Sequence, residues 1–168
     1  MGVINRFTEG GREALVLAEA QARDLRFSHV GTEMLLLGVL RADGIAADVL
    51  KSFGVTLELA RTRVGQYVSS GEELAGSEAV PVTPRARSVL GSAFRESLRR
   101  GEFQVGPEHI LLGIARVNEG VAIRVLRDLE VDAEKLHNGV IRTFPAPRPV
   151  PGPNVEMQEG QPEGSTES

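Results

Sequence analysis

The sequence predicts an all-α protein of about eight helices in two pseudo-symmetric four-helix repeats, and three observations carry that reading. The chain repeats itself: shifted by about 75 residues, Thr8 meets Thr83, Arg12 meets Arg87, Leu15 meets Leu90 and Ala18 meets Ala93. Apolar residues recur at helical rather than alternating spacing, and no stretch alternates convincingly as a strand. Finally, hydrophobic residues make up 41% of the 168-residue chain but aromatics only 4%, with no Trp and one Tyr. The core must then be mostly Leu, Val, Ile and Ala, a mix that favours helix packed on helix over a β-sandwich.

The elements follow in order. Thr8 is placed to accept a free backbone N–H at a helix start, and Ala14, Leu15, Leu17, Ala18, Ala22 and Leu25 then recur on one face. Phe27 to Gly31 reads as a turn. Thr32 to Leu40 is apolar nearly all round, so this second helix is expected to be central and buried. Ile45 to Phe53 is a third, stopped by Gly54, and Thr56 caps a fourth to Val68. The second copy follows the same plan. Thr83 caps, with Pro84 at the first helical position, where its missing N–H costs nothing. Helices over about Pro107–Arg116, Val121–Leu129 and Asp132–Arg142 complete it. Val30-Gly31 meets Val105-Gly106 and Leu36-Leu37-Gly38 meets Leu111-Leu112-Gly113; one extra residue then enters the second copy, after which Gly44 meets Gly120. The repeats span about 8–68 and 83–143, with a Ser-, Gly- and Glu-bearing linker over 69–82, so residues 1–143 form one double-repeat domain.

From Phe144 onward the composition shifts. Six of the nine prolines lie there, and four glutamates face Arg148 alone, so this stretch carries −3 of the net charge of −4. Residues 144–168 are expected to be a disordered, Pro-rich acidic tail, unable to bury enough apolar surface to offset its ordering entropy. The body is left near −1, which argues against bulk nucleic-acid affinity. Arg85 and Arg87, and Arg95, Arg99 and Arg100, form local basic patches best read as solvated helix faces.

Several chemistries are excluded. Without Cys there are no disulfides, thiolate metal sites or cysteine catalysis. There is no GxxxxGK[ST] phosphate loop and no GxSxG elbow, and His29, His109 and His137 show no metal-ligand spacing. No cofactor and no enzymatic activity are expected. No apolar run approaches the roughly 20 residues needed to span a bilayer, and no signal segment opens the chain, so no membrane partner and a cytoplasmic location are expected.

The most informative feature is Gly31-Thr32-Glu33-Met34-Leu35-Leu36-Leu37-Gly38 and its counterpart Gly106-Pro107-Glu108-His109-Ile110-Leu111-Leu112-Gly113. Each sets a carboxylate in the first turn of an apolar helix. Such a glutamate favours the helix dipole, which alone accounts for its presence. Two equivalent ones also invite a reading as receptors for guanidinium groups, which a carboxylate holds by two parallel charge-assisted hydrogen bonds. The helix starts capped by Thr8 and Thr83 offer N–H groups to an anion, so a ligand with guanidinium and phosphate together would use both features. A paired-carboxylate glycosidase fits poorly, as no aromatic sugar platform accompanies the pair.

This two-copy pattern resembles the Clp repeat (N-terminal) domain of the Clp/Hsp100 unfoldases, most closely the ClpC type. The resemblance rests on Arg6-Phe7-Thr8-Glu9 and the Gly31 segment in the first copy, and on Thr83-Pro84-Arg85-Ala86-Arg87, the Gly106 segment and Glu119-Gly120-Val121-Ala122 in the second. It covers about residues 4–143. It implies an eight-helix Clp N-domain fold that docks substrates or adaptors for an unfoldase. In ClpC-type members two equivalent sites bind phosphoarginine, a degradation mark. The guanidinium-binding glutamates fall here on Glu33 and Glu108, and the phosphate side falls near Thr8 and Thr83. The sequence departs from the family at Pro107, where a Thr precedes the second Glu, and at Met34, where a His follows the first. Val82 and Val3-Ile4 replace aromatics on the face where cyclic peptide antibiotics bind relatives, so such binding is not expected. The unfoldases' ATPase modules are not in this chain, which implies a stand-alone N-domain. Two functions follow: a module capturing tagged proteins, arginine-phosphorylated ones among them, or adaptors, for delivery or as a decoy, and an accessory subunit docking on a Clp ATPase or protease ring to regulate it.

Overall fold

The computed structural model describes residues 6–68 and 80–145. The expected tail lies outside the described residues apart from Phe144 and Pro145, as does most of the expected linker. Eight helices are seen, with no strand longer than a single bridge among the described residues. The first repeat contributes α1 (Glu9–Asp24), α2 (Thr32–Ala42), α3 (Ile45–Ser52) and α4 (Leu57–Tyr67). The second contributes α5 (Pro84–Arg99), α6 (Pro107–Val117), α7 (Val121–Asp128) and α8 (Ala133–Thr143). Corresponding helices have equal lengths of 16, 11, 8 and 11 residues. The extra residue of the second copy sits between α6 and α7.

Local chemistry sets the helix ends. The Oγ1 of Thr8, Thr56 and Thr83 accepts from the N–H of Gly11, Leu59 and Ala86 respectively. Asp132 does the same for Lys135 at 2.8 Å, and so stands just outside α8 as its cap. Each cap contributes about 1 kcal/mol. The left-handed residues also come in equivalent pairs: Arg26 with Gly101, Asp43 with Asn118, Gly44 with Gly120, and Gly54 with Glu130. The backbone thus takes the same turns in both copies even where only one of them uses glycine.

Glu130 has φ of 65° where its counterpart Gly54 has 83°. A side chain in the left-handed region costs about 1 kcal/mol that glycine avoids. Glu130→Gly is expected to raise stability by about 0.5–1 kcal/mol in urea unfolding, with no change in the slope against denaturant.

The two apolar helices form the centre. Met34, Leu35, Leu36, Leu37 and Val39 of α2, and Ile110, Leu111, Leu112 and Ile114 of α6, are essentially inaccessible to solvent. α1 closes on α2 through Gly38, where a Cβ would overlap the carbonyl of Ala14; α5 closes on α6 through Gly113, where it would overlap that of Val89. The equivalence has limits. Buried Glu96 accepts from Arg99 at 2.8 Å and from Arg116. Its counterpart Gln21 is fully buried, with no hydrogen bond to either amide atom among the described residues.

The halves are tied by crossed backbone pairing. Phe7, just before α1, bridges Val105, just before α6, through Thr8 N–H to Val105 O (3.0 Å) and Val105 N–H to Arg6 O (2.6 Å). Val82, just before α5, bridges Val30, just before α2, through Val30 N–H to Pro81 O (2.8 Å) and Thr83 N–H to Val30 O (3.0 Å). The last residues of the expected linker are therefore part of the folded body. Val80 is buried, and its N–H donates to Glu19 Oε1 at 3.3 Å, because the chain must pair with Val30 to reach α5.

Candidate functional site

The crossed pairing decides which groups share a site. Because Val82 lies against Val30, the start of α5 lies beside the start of α2, and Thr83 joins Glu33. Because Phe7 lies against Val105, Thr8 joins the start of α6 and Glu108. Each candidate site thus combines the carboxylate of one repeat with the capped helix start of the other.

Glu33 is held by its own helix. Its carboxylate folds back over the N-cap residue Gly31, where a Cβ would lie 2.8 Å from Glu33 Cδ and overlap both oxygens. The missing side chain of Gly31 leaves the room this close approach uses. Glu33 is 8% exposed, yet no cation pairs with it among the described residues. Burial pushes its carboxyl pKa up from the ordinary value, and a hydrogen bond from its own backbone N–H opposes this in part. The side chain opens onto a cavity of about 690 Å3 lined also by Thr83, Arg85, Ser88, Glu119 and Val121. A second cavity, of about 390 Å3, meets it from the His29 side.

The remaining wall carries one cation, Arg85, one further carboxylate, Glu119, and the start of α5. Thr83 faces the cavity at the N-terminus of α5, where Pro84 has no N–H, Ala86 N–H donates to Thr83 Oγ1 and Arg87 N–H to Thr83 O, so the Arg85 N–H and the helix dipole are what this start offers an anion. Arg85 Nη2 lies 3.6 Å from Glu119 Oε2, with side chains 54% and 68% exposed. Such a solvated pair contributes little and opens easily. Thr32, first residue of α2, accepts the N–H of Ala122 at 3.1 Å and so ties α7 to the cavity wall. The site can hold a cation at depth on Glu33 and an anion nearer the surface on Arg85 and α5.

The Glu108 side is built differently. Its carboxylate also lies over its N-cap glycine, Gly106, and its side chain is 18% exposed. His109 Nδ1 accepts the Gly106 N–H at 2.9 Å, so that nitrogen carries no proton. Its 3.6 Å approach to Glu108 Oε1 is therefore not an ion pair. The proton sits on Nε2, 3.3 Å from Glu102 Oε2 but out of hydrogen-bond alignment. Met34, the counterpart of His109, is simply core. Thr8 caps α1 beside Pro107, whose Cδ would lie 3.4 Å from a Cβ on Gly10.

All four residues expected from sequence thus lie at helix starts, in the pairs Glu33–Thr83 and Glu108–Thr8. Sequence reasoning missed Thr32, Glu119 and the inward role of Arg85, which it read as part of a basic patch. The signal was readable: the offset sets Arg85 against Gly10 and Thr32 against Pro107. Within the basic patches, Arg85 faces Glu119, Arg99 bonds Glu96 at 2.8 Å, and Arg100 bonds Glu102 at 2.8 Å. Among the described residues no cluster of His, Cys, Asp or Glu could hold a metal ion, and no helix is long and apolar enough to cross a membrane.

Comparison with known proteins agrees with this architecture. A ClpA homologue named as the ATP-binding subunit of an ATP-dependent Clp protease, from Guillardia theta, is 43% identical over 141 residues, 83% of this chain and 17% of its own length. The chloroplastic chaperone protein ClpC1 of Arabidopsis thaliana is 42% identical over 83% of this chain and 15% of its own. The chain thus spans less than a fifth of the length of these relatives. Among solved structures, the N-terminal domain of the Arabidopsis chaperone ClpD superposes with a TM-score of 0.69 at 26% identity, over 84% of this chain and 97% of that one. The Hsp104 N-terminal domain of Candida albicans shares the fold, with a TM-score of 0.69 at 13% identity over 84% of this chain and 93% of its own. The family model of the Clp repeat (R) N-terminal domain matches residues 6–116 and 81–162. With two such repeats built around a crossed pair of helix starts, the chain belongs to the Clp repeat N-terminal domain family.

Proposed function

We propose that this domain is a non-enzymatic capture module of a cytoplasmic Clp system, binding proteins that carry a guanidinium-based tag, with phosphoarginine as the ligand that uses the whole Glu33 cavity. Clp N-domains are protein-interaction modules; the tag is our reading. The observation that carries it is the buried Glu33 carboxylate, unpaired with any cation among the described residues and open to a cavity with Arg85 and the α5 start on its wall. A planar guanidinium satisfies such a carboxylate by a bidentate pair. A phosphoryl group on the same side chain is suited to the α5 start, where the Arg85 guanidinium, the Arg85 N–H and the helix dipole all favour an anion. Capture on this surface serves delivery to a Clp machine and decoy binding alike.

The test is calorimetric titration of the full chain with Nω-phospho-L-arginine, L-arginine and phosphoserine. Phosphoarginine is expected to bind, arginine more weakly, and phosphoserine, which offers Glu33 no cation, not measurably. Absence of phosphoarginine binding at about 1 mM, a threshold of roughly −4 kcal/mol, would overturn the reading.

A further inference from the structure

We infer that the two symmetry-related sites have diverged, so that this chain binds one phosphoarginine-like ligand, in the Glu33 cavity, with Arg85 as the residue that selects for its anionic half. The inference rests on the proposed function and deepens it.

Three differences carry it. The first is the cation. Arg85 stands on the second residue of α5 and lines the Glu33 cavity. The same position of α1 is Gly10, which has no side chain and faces the ring of Pro107. The Glu108 side therefore has a helix start but no cation at the corresponding place.

The second is the wall. A Cβ on Gly120, before α7, would meet Thr32 Oγ1 at 2.8 Å and Arg85 Cδ at 2.9 Å. The Thr32 hydroxyl holds α7 there through Ala122 N–H. At the counterpart Gly44, before α3, nothing lies within 4 Å of a Cβ. Pro107, in the place of Thr32, has no hydroxyl with which to accept an N–H from α3. The Glu33 cavity is thus bounded by α7, whereas α3 stands off from the other site.

The third is the carboxylate. Glu33 is the more buried of the two, so a cationic ligand relieves a larger desolvation there. Glu108 has more solvent already.

Arg85 also has a competitor. Glu119 faces it at 3.6 Å across the cavity, so an incoming phosphoryl group must displace or coexist with that carboxylate. The exposed pair opens at small cost. Removing Glu119 and removing Arg85 should therefore shift phosphate recognition in opposite directions, which a merely structural pair would not do.

The experiment titrates the full chain and its variants with phosphoarginine and with arginine, by calorimetry and amide chemical shifts. The wild type is expected to bind phosphoarginine with a stoichiometry of one, with shifts clustered at Gly31–Glu33, Thr83–Ser88 and Glu119–Val121. Arg85→Gln is expected to weaken phosphoarginine by about 10- to 100-fold, as loss of a charge-assisted contact does, and arginine hardly at all. Glu119→Gln is expected to tighten phosphoarginine about 3-fold, on the scale of an exposed charge pair. Glu108→Gln is expected to keep both affinity and stoichiometry. A stoichiometry of two, a Glu108→Gln loss, or equal effects of Arg85→Gln on both ligands would overturn this inference and leave the proposed function standing. No phosphoarginine binding by the wild type would overturn both.

Discussion

Glu33→Gln should make this domain more stable while abolishing its capture of a guanidinium ligand, and the opposed signs are what mark a residue kept for binding. The carboxylate is buried, it accepts a hydrogen bond from its own backbone N–H, and burial raises its pKa. A carboxyl whose folded pKa lies above its unfolded value binds its proton more tightly in the folded state. Its ionised form therefore costs stability above the folded pKa, and that cost disappears as pH falls below the unfolded value. The neutral amide escapes the cost at neutral pH. The expected gain is about 1 kcal/mol, the lower end for a buried, unpartnered polar group. The advantage should shrink as pH falls through the folded pKa of Glu33, where the wild type also becomes neutral. The same acidification should weaken phosphoarginine capture, since the protonated carboxyl offers one acceptor and no charge. Binding to the variant should fall by about 100-fold or more, the value of a desolvated bidentate ion pair. Urea unfolding at pH 7 and pH 4, set beside calorimetric titration, measures both. A variant less stable than wild type at neutral pH would identify Glu33 as a helix-start residue with a structural role.

Gly38→Ala is expected to destabilise the fold strongly, although alanine is the better helix former. The propensity term favours alanine by about 1 kcal/mol. Against it, the new methyl group would overlap the Ala14 carbonyl and lie 2.9 Å from Ala18 N and 3.0 Å from Ala18 Cβ. Two of these three atoms are backbone, so relief requires α1 and α2 to separate rather than a side chain to turn. Overpacking of this kind costs about 3 kcal/mol, leaving a net loss of about 2 kcal/mol and a fall in Tm of roughly 6 °C. Gly65→Ala, in α4, is the informative contrast. Nothing lies within 4 Å of a Cβ there, so only propensity acts and stability should rise by about 0.5–1 kcal/mol. Thermal unfolding of the two variants should therefore shift in opposite directions. A neutral Gly38→Ala would mean the helices can yield where the packing argument says they cannot.

Much of the fold is legible in the residues because its causes are local. Thr8, Thr56 and Thr83 announce helix starts through a hydroxyl that reaches an N–H three residues on. The unbroken apolar run of α2 foretells a central helix, because no face of it gains from water. The duplicated Gly-x-Glu motif exposes both carboxylates to inspection, and the glycines beneath them leave the room into which those carboxylates fold. What could not be read is a set of contacts between distant segments. The sequence offers Thr8 and Thr83 alike to Glu33, and no local preference chooses between them. His109 against Met34 shows a change of residue but not its consequence, which depends on where the Gly106 N–H points.

The amino-acid order alone determined a duplicated all-α body, its helix extents and the two acidic helix starts, because periodicity and capping act within a few residues. Tertiary structure alone decided that each carboxylate is served by the opposite repeat, through backbone pairing of Phe7 with Val105 and Val30 with Val82. It also decided that α7, held by Thr32, bounds the Glu33 cavity while Gly44, before α3, leaves open space on the other side. Those outcomes depend on hydrogen bonds spanning tens of residues, whose partners are selected by the packing of the whole core rather than by any property of the segments themselves.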